Sequence, residues 1–116
     1  MSQTTAPSVA TEIRGRTLIA RLVAKNPVEA DMDALSHAID TEAAGPGVGV
    51  IVLDLSNVQI LPSLGLGALI QISKKCQIRQ QKLKLAALSR DLRQVLCITR
   101  LDRILELVDT VDGAVE

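Results

Sequence analysis

The spacing of apolar positions changes several times along the chain, and each change predicts an element. Val9 to Ile13 is a short β-prone run, and Thr17 to Val23 alternates. Leu18, Ala20 and Leu22 fall on one face of that second run, with Thr17, Ile19 and Arg21 on the other. Between the two, Arg14-Gly15-Arg16 reads as a tight turn, because glycine accepts positive φ without strain. The pattern predicts a β-hairpin.

The period then becomes helical. Val28, Met32, Leu35 and Ile39 form one narrow stripe at spacings of four, three and four. Asn26 is the expected cap, Pro27 the first helical residue and Glu29 the acid of a capping box. His37 falls on the opposite, solvent-facing side. A Gly45-Pro46-Gly47 cluster ends the segment.

Val48 to Leu55 is apolar throughout except for Gly49 and Asp54, as in a central strand buried on both faces. A second helix is predicted from Leu64 to about Gln80. Leu66, Leu69, Ile70, Ile72 and Cys76 lie on its core side, with Gln71, Lys74 and Lys75 opposite. KLKLAAL, Lys82 to Leu88, is a fourth strand, and Ser89 caps a third helix through Leu101. Ile104 to Val108 forms a last strand, and Thr110 caps a final turn through Val115.

Strands alternating with helices predict an α/β fold: one mixed, mostly parallel β-sheet with an N-terminal β-hairpin and about four helices. Residues 1–8 are small and polar and are expected to fray, leaving one domain over 9–116.

Composition narrows the function. The chain has 116 residues, 47% of them hydrophobic, and no Phe, Tyr or Trp, so the core is aliphatic. Thirteen basic and thirteen acidic side chains cancel. Neutral charge and missing stacking platforms argue against a nucleic-acid binder. No apolar run reaches the roughly 18 residues of a membrane span, so no direct membrane insertion is expected. MSQTTAPSVATE lacks the features of a secretory signal, which predicts a cytoplasmic protein. Cys76 and Cys97 both fall in helical patterns and are expected to be buried thiols. With one histidine in the chain they cannot make a structural zinc site, so no metal or cofactor is expected.

Chemistry concentrates at VIVLDLSNVQILPSLGLGAL, Val50 to Leu69. Gly65-Leu66-Gly67 lacks the third glycine of a dinucleotide fingerprint, since Ile70 stands there. No Gly-Lys-Ser/Thr is present, and Ser63 is flanked by Pro62 and Leu64, which removes a P-loop and a nucleophile elbow. A Ser-His-Asp triad would have to use His37 on its solvent face. The chain is therefore not expected to be an enzyme. Asp54 stands near the end of a central strand, where it either contacts a ligand or orders the following loop. Ser63 either caps the second helix or is a modifiable or ligand-binding hydroxyl. Leu61 and Leu64, if exposed, form an apolar spot suited to protein docking.

The run IVLDLSNVQILPSLGLGALI resembles the signature of STAS domains, the fold of the anti-sigma factor antagonists. LKLAALSRDLRQVLCITRLDRILELVDTVDGAV resembles the second half of the same family. In that family an Asp-Ser-Ser-Gly-Leu-Gly loop opens a helix. Gly65, Leu66 and Gly67 match its Gly-Leu-Gly, and Ser63 matches its first serine. Pro62 replaces the aspartate, and Leu64 replaces the phosphorylated serine.

The resemblance implies a non-enzymatic module that docks an anti-sigma factor or a related GHKL-type kinase. The docking residues would be Leu61, Pro62, Ser63, Leu64, Gly65, Leu66 and Gly67, with Gln71, Lys74 and Lys75 of the second helix. Its charge switch is either lost or moved to Ser63. The alternative it implies is a nucleotide- or lipid-binding module whose pocket joins Asp54 to the helix N-terminus. A homodimer is left open.

Overall fold

The computed structural model describes residues 9–44 and 47–115. The segment expected to fray, and Gly45-Pro46 of the turn cluster, lie outside the described residues. Five strands form one sheet in sequence order: β1 Val9–Arg14, β2 Thr17–Leu22, β3 Val50–Asp54, β4 Lys82–Ala86 and β5 Glu106–Val108. β1 and β2 are antiparallel, and the remaining neighbours are parallel. The helices are α1 Glu29–Glu42, α2 Ser63–Ile78, α3 Arg90–Ile98 and α4 Val111–Ala114, with a 3-10 turn at Leu101–Arg103. The predicted mixed α/β architecture and its hairpin are thus present. Gly15 turns the hairpin at φ +60°.

β3 is the middle strand, and its two faces serve two cores. Ile51 and Leu53 join Leu18, Leu22, Leu35, Ile39, Leu69, Ile72, Leu85 and Leu96 beneath α1, α2 and α3. Val50 and Val52 join Ile19, Ala86 and Ala114 beneath α4. Strand alternation sends successive side chains to opposite faces, which is why one apolar run feeds both layers.

Lys84 shares the smaller face and is buried. Its Nζ donates to the Ala114 carbonyl at 3.3 Å and lies 4.0 Å from Glu106. The short α4 is held further by Arg14, which donates to Asp112 at 2.8 Å. Its Thr110 cap accepts the Gly113 N–H at 3.0 Å.

Ser89 caps α3 as expected, accepting from Leu92 at 3.1 Å. Other boundaries differ from the sequence reading. Asn26 is not the cap of α1: the helix starts at Glu29, and the Asp31 carboxylate accepts the Val28 N–H at 2.8 Å. Val28 leaves the apolar stripe and is exposed. α3 stops at Ile98 instead of Leu101, because Arg100 adopts the left-handed conformation at φ 62°. Thr99 closes the end by donating its hydroxyl to the Val95 carbonyl at 2.8 Å. Only Cys76 is a buried thiol, and Cys97 is exposed. Burial raises the Cys76 pKa to about 11, overriding the favourable charge of Arg79.

Candidate functional site

The connection from β3 to α2 is built to hold a short helix start in place. The Asp54 carboxylate accepts the Ser56 N–H at 3.0 Å, which turns the chain out of the strand. Leu55 and Val58 are buried, and the Val58 N–H donates to the Leu55 carbonyl. The Gln59 N–H donates to the Lys25 carbonyl at 2.8 Å, tying this connection to the one before α1. Pro62 then occupies the N-cap of α2 with extended backbone. Ser63 is the first helical residue and not the expected cap, because no side chain caps this end.

Around the start of α2, side chains divide sharply. Leu61 is 7% exposed and packs into the main core, so it contributes nothing to an outer apolar spot. It lies directly on Gly65: a Cβ placed there would come within 2.6 Å of Leu61 Cδ1. Gly65 is therefore buried as the bed for Leu61, and only glycine leaves that room. Leu66 is half-buried against the core. Leu64 points the other way and is 55% exposed, with Ser63 and Gly67 beside it.

Leu64, Gly67, Ala68, Gln71 and Lys75 recur at helical spacing and form one wall of a groove of about 540 Å³. Ser63 stands at its mouth. The opposite wall is α1, through Glu29, Met32, Asp33 and Ser36. Of the residues expected to contact a partner, the structure brings Ser63, Leu64, Gly67, Gln71 and Lys75 together. Leu61 and Gly65 lie beneath them, Pro62 is exposed at the cap, and Lys74 is exposed outside the groove.

The α1 wall escaped the sequence reading. Its signal was available: EADMDALSHAIDTE carries five acids and no Lys or Arg. One end of the groove is closed by charge. Lys75 and Arg79 donate to Asp40 at 3.0 and 2.9 Å. Partial burial pushes the Asp40 carboxyl up, but the two cations outweigh it and hold it below its ordinary value.

Asp54 is not part of this groove. It shares a strand face with Val50 and Val52, opposite α2, and lies 3.7 Å from Arg21 Nε. There it borders a separate polar cavity of about 270 Å³, with Arg14, Thr110 and Asp112. That cavity and the groove at the start of α2 share no lining residue, because period-two alternation turns Asp54 to the face opposite α2.

A five-stranded mixed sheet, layered by helices and carrying a shallow two-helix groove beside its strand-end loop, defines a small α/β module. Its family follows from comparison with known proteins. The STAS domain model matches residues 8–114, and the chain belongs to the STAS domain family.

Among solved structures it is similar to an anti-sigma factor antagonist from Mycobacterium paratuberculosis. Identity is 24%, covering 96% of this chain and 95% of that one, with a TM-score of 0.77. It is also similar to an anti-sigma-factor antagonist (STAS) domain protein from Planctomyces limnophilus. Identity is 16%, covering 95% and 96%, with a TM-score of 0.81. The same fold recurs in the murine Solute Carrier 26 family member A9 anion transporter. There the match is 12% identical over 89% of this chain and 18% of that one, with a TM-score of 0.74. Among the described residues, no helix is long and apolar enough to cross a membrane.

Proposed function

We propose that this protein is a non-enzymatic interaction module that docks a regulatory partner through the first turn of α2 and the groove beside it. The partner class suggested by its relatives is an anti-sigma factor or a related GHKL-type kinase. The observation that carries the reading is Leu64. It is a large apolar side chain held out in solvent at the position where the resembled family places its phosphorylated serine. Isolated exposed leucines are ordinary. Two more exposed apolar side chains, Ile60 at 65% and Val28 at 62%, stand on the two connections that Gln59 and Lys25 tie together. An apolar spot rimmed by polar side chains suits docking.

A leucine takes no phosphate, so the complex forms without a charge switch at that residue. Ser63 is exposed one residue earlier, but its hydroxyl does no structural work at the helix start. Two measurements test this. Leu64→Asp, compared with wild type in a pull-down on the cognate kinase or anti-sigma factor, abolishes capture; unchanged capture places the interface elsewhere. Incubation with that kinase and ATP leaves the intact mass unchanged. A stoichiometric phosphate on Ser63 sinks the unswitched reading.

A further inference from the structure

The chemistry of the partner segment can be read from the charges left unmatched around the groove. Glu29 and Asp33 are one helical turn apart on the α1 wall. Both are exposed, and among the described residues neither forms an ion pair. Lys75, the cation lining the groove, is taken by Asp40 at the far end. Lys25, in the connection before α1, is exposed and bonded to neither acid. The α2 wall carries no charge between Ser63 and Ser73. The groove therefore ends in a cation pair sharing one carboxylate at Asp40, net positive, and is anionic at the other end, where Leu64 is exposed.

We propose that the groove takes a cationic amphipathic segment of the partner. An apolar side chain would rest on Leu64, Met32 and Ala68, with Arg or Lys reaching Glu29 and Asp33. This rests on the docking reading above. A groove between two helices is the shape that receives an amphipathic helix. Charge complementarity selects the sign: an acidic segment would set like charges together, and a cationic one satisfies both carboxylates.

The test uses the full chain and three labelled synthetic helical peptides, read by fluorescence anisotropy. One has a leucine stripe flanked by arginines, one has glutamates in place of the arginines, and one keeps the arginines but has serines for leucines. The arginine–leucine peptide is expected to bind at least about tenfold tighter than either other peptide, less so at high salt. Glu29→Lys with Asp33→Lys removes that preference. The same charge change placed at Asp102 and Asp109, outside the groove, keeps it. The milder Glu29→Gln with Asp33→Asn keeps the test valid should the lysine variant fail to fold.

Equal or tighter binding of the glutamate peptide overturns the inference. If that binding is still lost in Leu64→Asp, the docking reading survives and only the sign is wrong. If Leu64→Asp changes nothing for any peptide, the docking surface itself is misplaced. Self-association of the chain that disappears in the Glu29→Lys, Asp33→Lys variant would give the groove to a second copy and overturn the assignment to a partner.

Discussion

Around the start of α2, Leu61 and Leu64, and likewise Gly65 and Gly67, have opposite surroundings. Leu61 and Gly65 form the inner pair, one buried on the other. Leu64 and Gly67 form the outer pair, both exposed, with nothing within 4 Å of a Cβ added at Gly67. The residue types are the same, so the difference comes from position. The inner pair sets how closely the helix start approaches the sheet. Once that distance is fixed by packing, the outer pair is free of structural demand, and its chemistry is available for a partner.

Breaking the inner pair should have the largest effect. Leu61→Ala removes a side chain buried in the main core, and is expected to cost about 2–5 kcal/mol in denaturant unfolding. A loss as small as that of a surface change would mean Leu61 does not hold the helix start. Gly65→Ala comes next at about 1–3 kcal/mol, since Leu61 must give way to the new methyl. The two substitutions together should cost less than their sum, because Leu61→Ala vacates the space that Gly65→Ala needs. Strict additivity would separate the pair.

On the outer side the sign reverses. Gly67 lies in the helix at ordinary φ with open space where a Cβ would go. Gly67→Ala should stabilise by about 0.5–1 kcal/mol, read as a higher denaturant midpoint. A destabilised Gly67→Ala would show that the outer pair is also packed.

The far end of the groove gives a pH-dependent contrast. Asp40 has its folded pKa lowered from 3.8 by Lys75 and Arg79. A lowered carboxyl pKa adds stability above the unfolded value and loses it as the pH falls through the folded one. Asp40→Asn should therefore cost about 0.2–1 kcal/mol at neutral pH, given the exposure of these pairs. The difference from wild type should close in strong acid. A gap that persists there would mean Asp40 acts through packing.

Much of this architecture was legible because it is local. Alternation from Thr17 and the turn at Gly15 defined the hairpin, and Ser89 and Thr110 cap where a hydroxyl precedes a helical run. Failures came where two segments distant in sequence decide the outcome. Nothing within the sequence around Leu61 distinguishes it from Leu64; the distinction is made by the sheet under one of them. The face of Asp54 could have been read from its spacing to Val50 and Val52, but which helix covers that face could not. The anionic wall required knowing that α1 lies against α2. Ser63 looked like a cap because it precedes an apolar run, yet the helix begins one residue earlier than a serine cap requires.

The smallest effect on stability belongs to Leu64, and it is the most informative. Leu64→Asp removes an exposed side chain, so the folded state loses little packing, and most such changes stay within about 0.5 kcal/mol. The new carboxylate would stand in the first turn of α2, where the helix dipole favours an anion by about 0.3–1 kcal/mol. Nearby Glu29 on the other wall works against that gain. Thermal unfolding should therefore be nearly unchanged while partner capture is lost. That separation of stability from docking is what the outer pair predicts, and the inner pair cannot show it. If Leu64→Asp lowers stability as much as Leu61→Ala, the division of the helix start into a packed side and a free side fails.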